Sequence, residues 1–210
     1  MKKIPTIFHR PARTPWLVEP LWHPDALWVL DGHGVATLKL DGTACCVAGA
    51  RLYRRREVRP GDATPAGFLQ VDAAQCDGGE KRIGWVPVDR AARGDRAPVA
   101  AWDAYHADNG YCAPDGTYEL VGPKVQGNPY GLPAPMLVSH ASPRLRVLAP
   151  DTPPRTFEGL RAWLAAYAVE GLVWHHESGA MAKIKRRDFG WPWPAPGAAI
   201  YTPRLVAVPA

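Results

Sequence analysis

The chain has 210 residues, enough to bury one sizeable core, and 47% hydrophobic with 21% charged residues is a globular balance. No run approaches the roughly 18 to 20 apolar residues that cross a bilayer, and the basic start MKKIPTIFHRPARTPW lacks a secretion signal's apolar stretch, so a cytoplasmic protein is expected. The net charge of +5 suits a polyanionic partner, because clustered Lys and Arg displace counterions from phosphates.

Proline (23) and glycine (20) make up about a fifth of the chain and cut it into short segments. In chain order, strands are predicted at WVLDGHGVATLKL (28–40), TACCVAGARLYRR (43–55), GTYELVGPKV (116–125), EGLVWHH (170–176) and AMAKIKR (180–186). Their near-alternation suits antiparallel sheets. DGHG at 31–34 reads as a hairpin turn. Residues 58–113, polar and turn-rich around the apolar GWVPV, read as an insertion between core strands. One helix is well signalled: Thr156 caps an apolar stripe of Phe157, Leu160, Trp163, Leu164 and Tyr167. The expected class is α+β, a single domain. It comprises an N-terminal segment 1–24, a core 25–190 and a proline-rich tail 191–210 packed on that core. Cys45, Cys46, Cys76 and Cys112 lack zinc spacing and read as reduced thiols.

Four segments carry chemistry. In TLKLDGT (37–43), Lys39 and Asp41 stand two apart on a strand end and point the same way, before a turn at Gly42. A nucleophilic lysine must be neutral when it attacks, so desolvation or neighbouring cations have to lower its pKa. Glu119 lies inside an apolar strand, where a carboxylate needs hydrogen bonds that a ribose hydroxyl can donate. Glu170 opens a strand directly after the helix, suited to holding a divalent ion. Lys183 and Lys185 share one face of a strand while Ile184 takes the other, and two such ammonium groups suit a triphosphate between them. Alone, each segment also has an ordinary reading as a turn, a strand edge or a solvated basic face. Adjacent His175 and His176 point to opposite faces and read as edge residues, while Trp163 and Trp85 read as packing.

Taken in order, KLDG (39–42), YELVG (118–122), EGLVW (170–174) and KIK (183–185) resemble the motifs of covalent nucleotidyltransferases, the polynucleotide ligases and mRNA capping enzymes. The wording of GTYELVGPKVQGNPYGL, LYRRREV and GWVPV is most similar to small ATP-dependent RNA ligases. The resemblance spans residues 25–190. It implies a single nucleotidyltransferase (adenylation) domain of antiparallel sheets with a few helices, an ATP-grasp-like ligase core. Ligases of this superfamily commonly add an OB-fold or a helical module, and here the chain departs from them, with no evident OB-fold or other C-terminal domain expected after KIK. The resemblance further implies that Lys39 attacks ATP to form lysyl-AMP, and that AMP passes to an RNA 5′-phosphate. A 3′-hydroxyl then displaces AMP to seal the strand, as in RNA repair. Lys39, Asp41, Lys183 and Lys185 would be catalytic. Lys39, Gly42, Glu119, Lys183 and Lys185 would contact ATP, with an arginine of 51–56 such as Arg54 or Arg55. Glu170 would hold Mg²⁺ or Mn²⁺. The partner would be RNA bearing 5′-phosphate and 3′-hydroxyl ends, and the protein a monomer. Two other readings stand beside this one, a GTP-dependent capping-type guanylyltransferase and a non-catalytic RNA-binding protein.

Overall fold

The computed structural model describes residues 4–110, 113–140 and 152–195. In chain order the elements are α1 (Leu27–Leu30), β1 (Val35–Lys39), β2 (Thr43–Ala48), β3 (Arg51–Val58), β4 (Leu69–Cys76) and β5 (Gly79–Pro87). They continue with α2 (Arg96–Asn109), β6 (Gly116–Val121), β7 (Met136–Ser139), α3 (Phe157–Ala166), β8 (Gly171–His175) and β9 (Met181–Lys185). Among the described residues every pairing between these strands is antiparallel, so the class is α+β as expected. Among the described residues no helix is long and apolar enough to cross a membrane. The chain divides into two compact units, one of the described residues between 41 and 140, the other of residues 4–40 and 152–195.

The unit at 41–140 is a six-stranded sheet in the order β4-β5-β3-β2-β6-β7. Cys45 and Val47 of β2, Leu52 of β3, Tyr118 and Leu120 of β6 and Leu137 of β7 form its core with Ala101 and Trp102 of α2. The predicted strand 43–55 is in fact a hairpin. Its central residues Gly49 and Ala50 both have positive φ (55° and 56°), the twist a two-residue turn needs, and the Asp115 carboxylate accepts the Gly49 N–H at 3.0 Å. The polar segment 58–113 holds β4, β5 and α2, so it extends the sheet and supplies its helix. GWVPV lies at the end of β5, with Trp85 and Val86 buried.

In the other unit, three strands pair in the order β1-β8-β9. Leu38, Leu172, Trp174, Ala182 and Ile184 line one sheet face and pack with Leu160, Trp163 and Leu164 of α3. That is the helical stripe read from the sequence. Thr156 caps α3 by accepting the Gly159 N–H at 3.2 Å. At the helix's other end Arg186 is buried and donates to the carbonyls of Leu164 and Tyr167, groups with no partner inside the helix. Residues 5–7 bind the outer edge of β9, where Lys183 N–H donates to Pro5 O and Ile7 N–H to Lys183 O, both at 2.9 Å.

Two local expectations are corrected here. Trp28, Val29 and Leu30 begin no strand, because Arg155 donates to the carbonyls of Val29, His33 and Gly34 and fixes a short helix followed by a turn. DGHG therefore joins α1 to β1 rather than closing a hairpin. Residues 1–3, Cys112 and residues 196–210 of the tail lie outside the described residues; Cys45, Cys46 and Cys76 are free thiols.

Ala50 holds a left-handed backbone that disfavours any Cβ. Ala50→Gly should therefore raise stability by about 0.5–1 kcal/mol despite glycine's greater unfolded-state freedom. The measurement is the urea midpoint, and an unchanged or lower midpoint would contradict the strain.

Candidate active site

Cross-strand partners in a sheet point to the same face. Lys39 pairs with Gly171, which pairs with Lys185; Thr37 pairs with Val173, which pairs with Lys183. All three lysines thus rise from the face opposite the apolar core. Lys39 and Lys185 are two strand spacings apart, about 10 Å between Cα atoms, and the residue between them is a glycine. A Cβ at Gly171 would stand 2.2 Å from the Ile184 carbonyl oxygen and 2.8 Å from the Lys185 Cα, so no other residue fits without moving the backbone.

Glu170, immediately before β8, meets this face. Its Oε2 accepts from Lys39 Nζ at 2.7 Å, and Nζ also donates to the Leu40 carbonyl at 3.3 Å. Both partners of the pair are largely buried. The pair sets opposite charges in contact, while Lys183 and Lys185 bring like charge to the same face. On the same face Thr37 Oγ1 donates to the Val173 carbonyl at 3.2 Å, leaving its lone pairs to accept the His175 Nε2–H at 3.1 Å. His176 points away and contacts Ser178, so the two histidines diverge as the strand period requires.

Asp41, Gly42, Glu119, Arg54 and Arg55 belong to the unit at 41–140. The Asp41 N–H donates to Tyr130 Oη at 2.6 Å. Gly42 lies against β6, and a Cβ there would be 2.3 Å from the Leu120 carbonyl oxygen and 2.7 Å from Glu119 Cγ. Glu119 sits between Ala44 of β2 and Val138 of β7 and receives His140 Nε2 at 3.1 Å. Arg54 and Arg55 take opposite faces. Arg54 shares the core face with Cys45 and meets buried Asp95 at 2.6 Å, a charge contact rather than an aligned hydrogen bond. Arg55 pairs with Trp85 on the other face. Burial, followed by the charge of Glu119, pushes the Cys45 thiol up to about 12, which removes it as a nucleophile.

Two contributors carry no sequence signature of their own, Tyr130 and His140. Both act on residues distant in sequence, and the only signal was the neighbourhood of YGL and the β7 end. Among the described residues no cluster of three or more His, Cys, Asp or Glu could cage a metal. A single carboxylate such as Glu170 fits Mg²⁺, which keeps most of its waters and is shared with substrate phosphates.

Residues 113–209 match the family model described as RNA ligase 1. The RNA ligase 1 of Danio rerio is 36% identical over 98 residues, which is 43% of this chain and 29% of that protein. Those of Pongo abelii and Rattus norvegicus are 35% and 34% identical over 88 residues, 38% of this chain and 26% of each relative. The match thus spans less than a third of these relatives' length. Glu119, Glu170, Lys183 and Lys185 fall inside the family-matched segment, while Lys39, Asp41, Gly42, Arg54 and Arg55 precede it. The similarity of this chain to the RNA ligase 1 family thus rests on residues 113–209.

Proposed function

We propose that this chain is an ATP-dependent RNA ligase that joins 5′-phosphate and 3′-hydroxyl ends through lysyl-AMP and RNA-adenylate intermediates. One arrangement carries the reading: Lys39, hydrogen-bonded to Glu170, stands on a sheet face shared with Lys183 and Lys185. The neutral Lys39 amine attacks the ATP α-phosphorus, a P–N bond forms, and the bond to pyrophosphate breaks. The ammonium must first lose its proton, which requires the Glu170 pairing to loosen while the two neighbouring lysines disfavour the charge. Lys183 and Lys185 offset the charge that builds on the phosphates as the bond breaks. Glu170 would hold Mg²⁺ or Mn²⁺, which supplies further positive charge to those oxygens. Glu119 is assigned the ribose, and Asp41 and Gly42 shape the end of the nucleophile motif. Of the two arginines proposed for ATP, Arg55 is favoured, since it is on the sheet face away from α2 whereas Arg54 is committed to Asp95.

After incubation with ATP and Mg²⁺, intact mass should rise by one AMP, and Lys39→Ala should abolish the adduct. Lys39→Ala should still seal RNA that is already 5′-adenylated, since that step needs no lysine nucleophile. A GMP adduct in place of AMP would favour the capping-type reading, and no adduct with either nucleotide would favour a non-catalytic RNA-binding protein. An adduct that survives Lys39→Ala would overturn the nucleophile.

Glu170→Ala should slow both adenylation and sealing by at least about 100-fold, because each develops charge on a phosphate. Rates for both steps at low Mg²⁺ decide this, and full activity there removes Glu170 from metal binding.

RNA grip is assigned to exposed arginines such as Arg56 and Arg59. Arg56→Ala with Arg59→Ala should leave the urea midpoint unchanged and lower the slope of log affinity against log salt by about 0.7 for each single-strand phosphate that the arginines neutralise. Arg54→Ala should instead cost about 2 kcal/mol of stability, because it strands buried Asp95. An unchanged salt slope in the double variant would place RNA elsewhere.

A further inference from the structure

Glu119 is a carboxylate in a demanding place. Its side chain is 15% exposed, and its cross-strand neighbours on either side, Ala44 and Val138, bring no polar side chain. A desolvated carboxylate keeps its charge only if donors reach it. His140, just past the end of β7, supplies one.

The ring is held from two directions. His140 N–H donates to the Thr117 carbonyl at 3.0 Å, Nδ1 lies 3.0 Å from Thr117 Oγ1, and Nε2 lies 3.1 Å from Glu119 Oε2. An ionised carboxylate can only accept, so Nε2 carries the proton. In the neutral ring Nδ1 is then an acceptor, and the Thr117 hydroxyl donates to it. Both ring nitrogens of His140 thereby have complementary partners, Thr117 Oγ1 and Glu119 Oε2, and one tautomer of the neutral ring satisfies them. Gly42 leaves the room that the Glu119 side chain occupies, because a Cβ there would come within 2.7 Å of Glu119 Cγ. The hydrogen bond from His140 fixes one carboxylate oxygen, and the glycine leaves space for the side chain beside β2.

We infer that His140, oriented by Thr117, is a positioning residue that fixes Glu119 as an oriented, acceptor-only carboxylate for a ribose hydroxyl of the nucleotide. The inference rests on the reading of Glu119 as the ribose contact. One carboxylate oxygen is held by His140, and the other accepts the sugar hydroxyl. A nucleotide without that hydroxyl leaves the acceptor unpaired and binds more weakly, so the triad selects ribonucleotides.

The test compares covalent labelling by ATP and by 2′,3′-dideoxy-ATP, with KM and kcat measured separately. The native protein should show a KM about tenfold or more lower for ATP, and Glu119→Ala should bring the two KM values together. His140→Ala should raise KM for ATP about tenfold while leaving kcat and the dideoxy KM unchanged. His140→Gln, whose amide N–H reaches the place of Nε2–H, should restore most of the difference, and Thr117→Val should fall between them. If Glu119→Ala retains the native discrimination, the ribose reading fails and the inference with it. If Glu119→Ala loses discrimination but His140→Ala keeps it, or if His140→Ala weakens both nucleotides equally, the positioning role alone is overturned.

Discussion

Three lysines on one face of a three-stranded sheet repel one another, and the architecture of residues 4–40 and 152–195 makes that arrangement tolerable. Gly171 keeps the place between Lys39 and Lys185 clear, and the backbone of β9 approaches so closely there that only glycine is admitted. Glu170 contributes the compensating carboxylate and ties down Lys39. The reverse face is wholly apolar, and burial of Leu160, Leu164, Leu172, Trp174 and Ile184 supplies the free energy that holds the charged face in register. Each large side chain buried there is worth about 1.5–3 kcal/mol, well above the cost of like charges that remain partly hydrated.

The unit at 41–140 solves a related problem twice. Asp95 is buried at the start of α2 and is met by Arg54 and by the Asp89 N–H at 2.9 Å. That pairing joins the helix to the sheet and takes Arg54 out of the exposed basic run. On the other sheet face Glu119 is met by His140. One carboxylate is closed off by a permanent cation. The other is met by a histidine whose second ring nitrogen rests against the Thr117 hydroxyl.

Similarity to the RNA ligase 1 family covers Glu119, Glu170, Lys183 and Lys185 but begins after TLKLDGT at 37–43. Lys39 is tied to Glu170, Lys183 and Lys185 by geometry instead. Its place opposite Gly171 and beside Glu170, 131 residues along the chain, makes it part of the same sheet face as the matched residues Lys183 and Lys185.

The two-residue period of a strand is local, so the sequence alone determined that Lys183 and Lys185 share a face with Ile184 behind them, and that His175 and His176 diverge. The stripe of α3 and its Thr156 cap were equally legible, because both follow from spacings of three and four residues. Other features were hidden for physical reasons. The helix α2 is built largely of alanine with Trp102 and Tyr105, so it carries no strong apolar stripe and was lost within a polar segment. Trp28, Val29 and Leu30 have strand-like side chains, yet Arg155, more than 120 residues away, holds their carbonyls in a helical turn. That Arg54 and Arg55 face opposite ways is written in the chain, but which of them meets Asp95 depended on where α2 packs. Lys39 with Glu170, and His140 with Glu119, are likewise products of strand register. Such pairings join residues far apart in sequence and leave no periodic trace, so only the tertiary structure decided them.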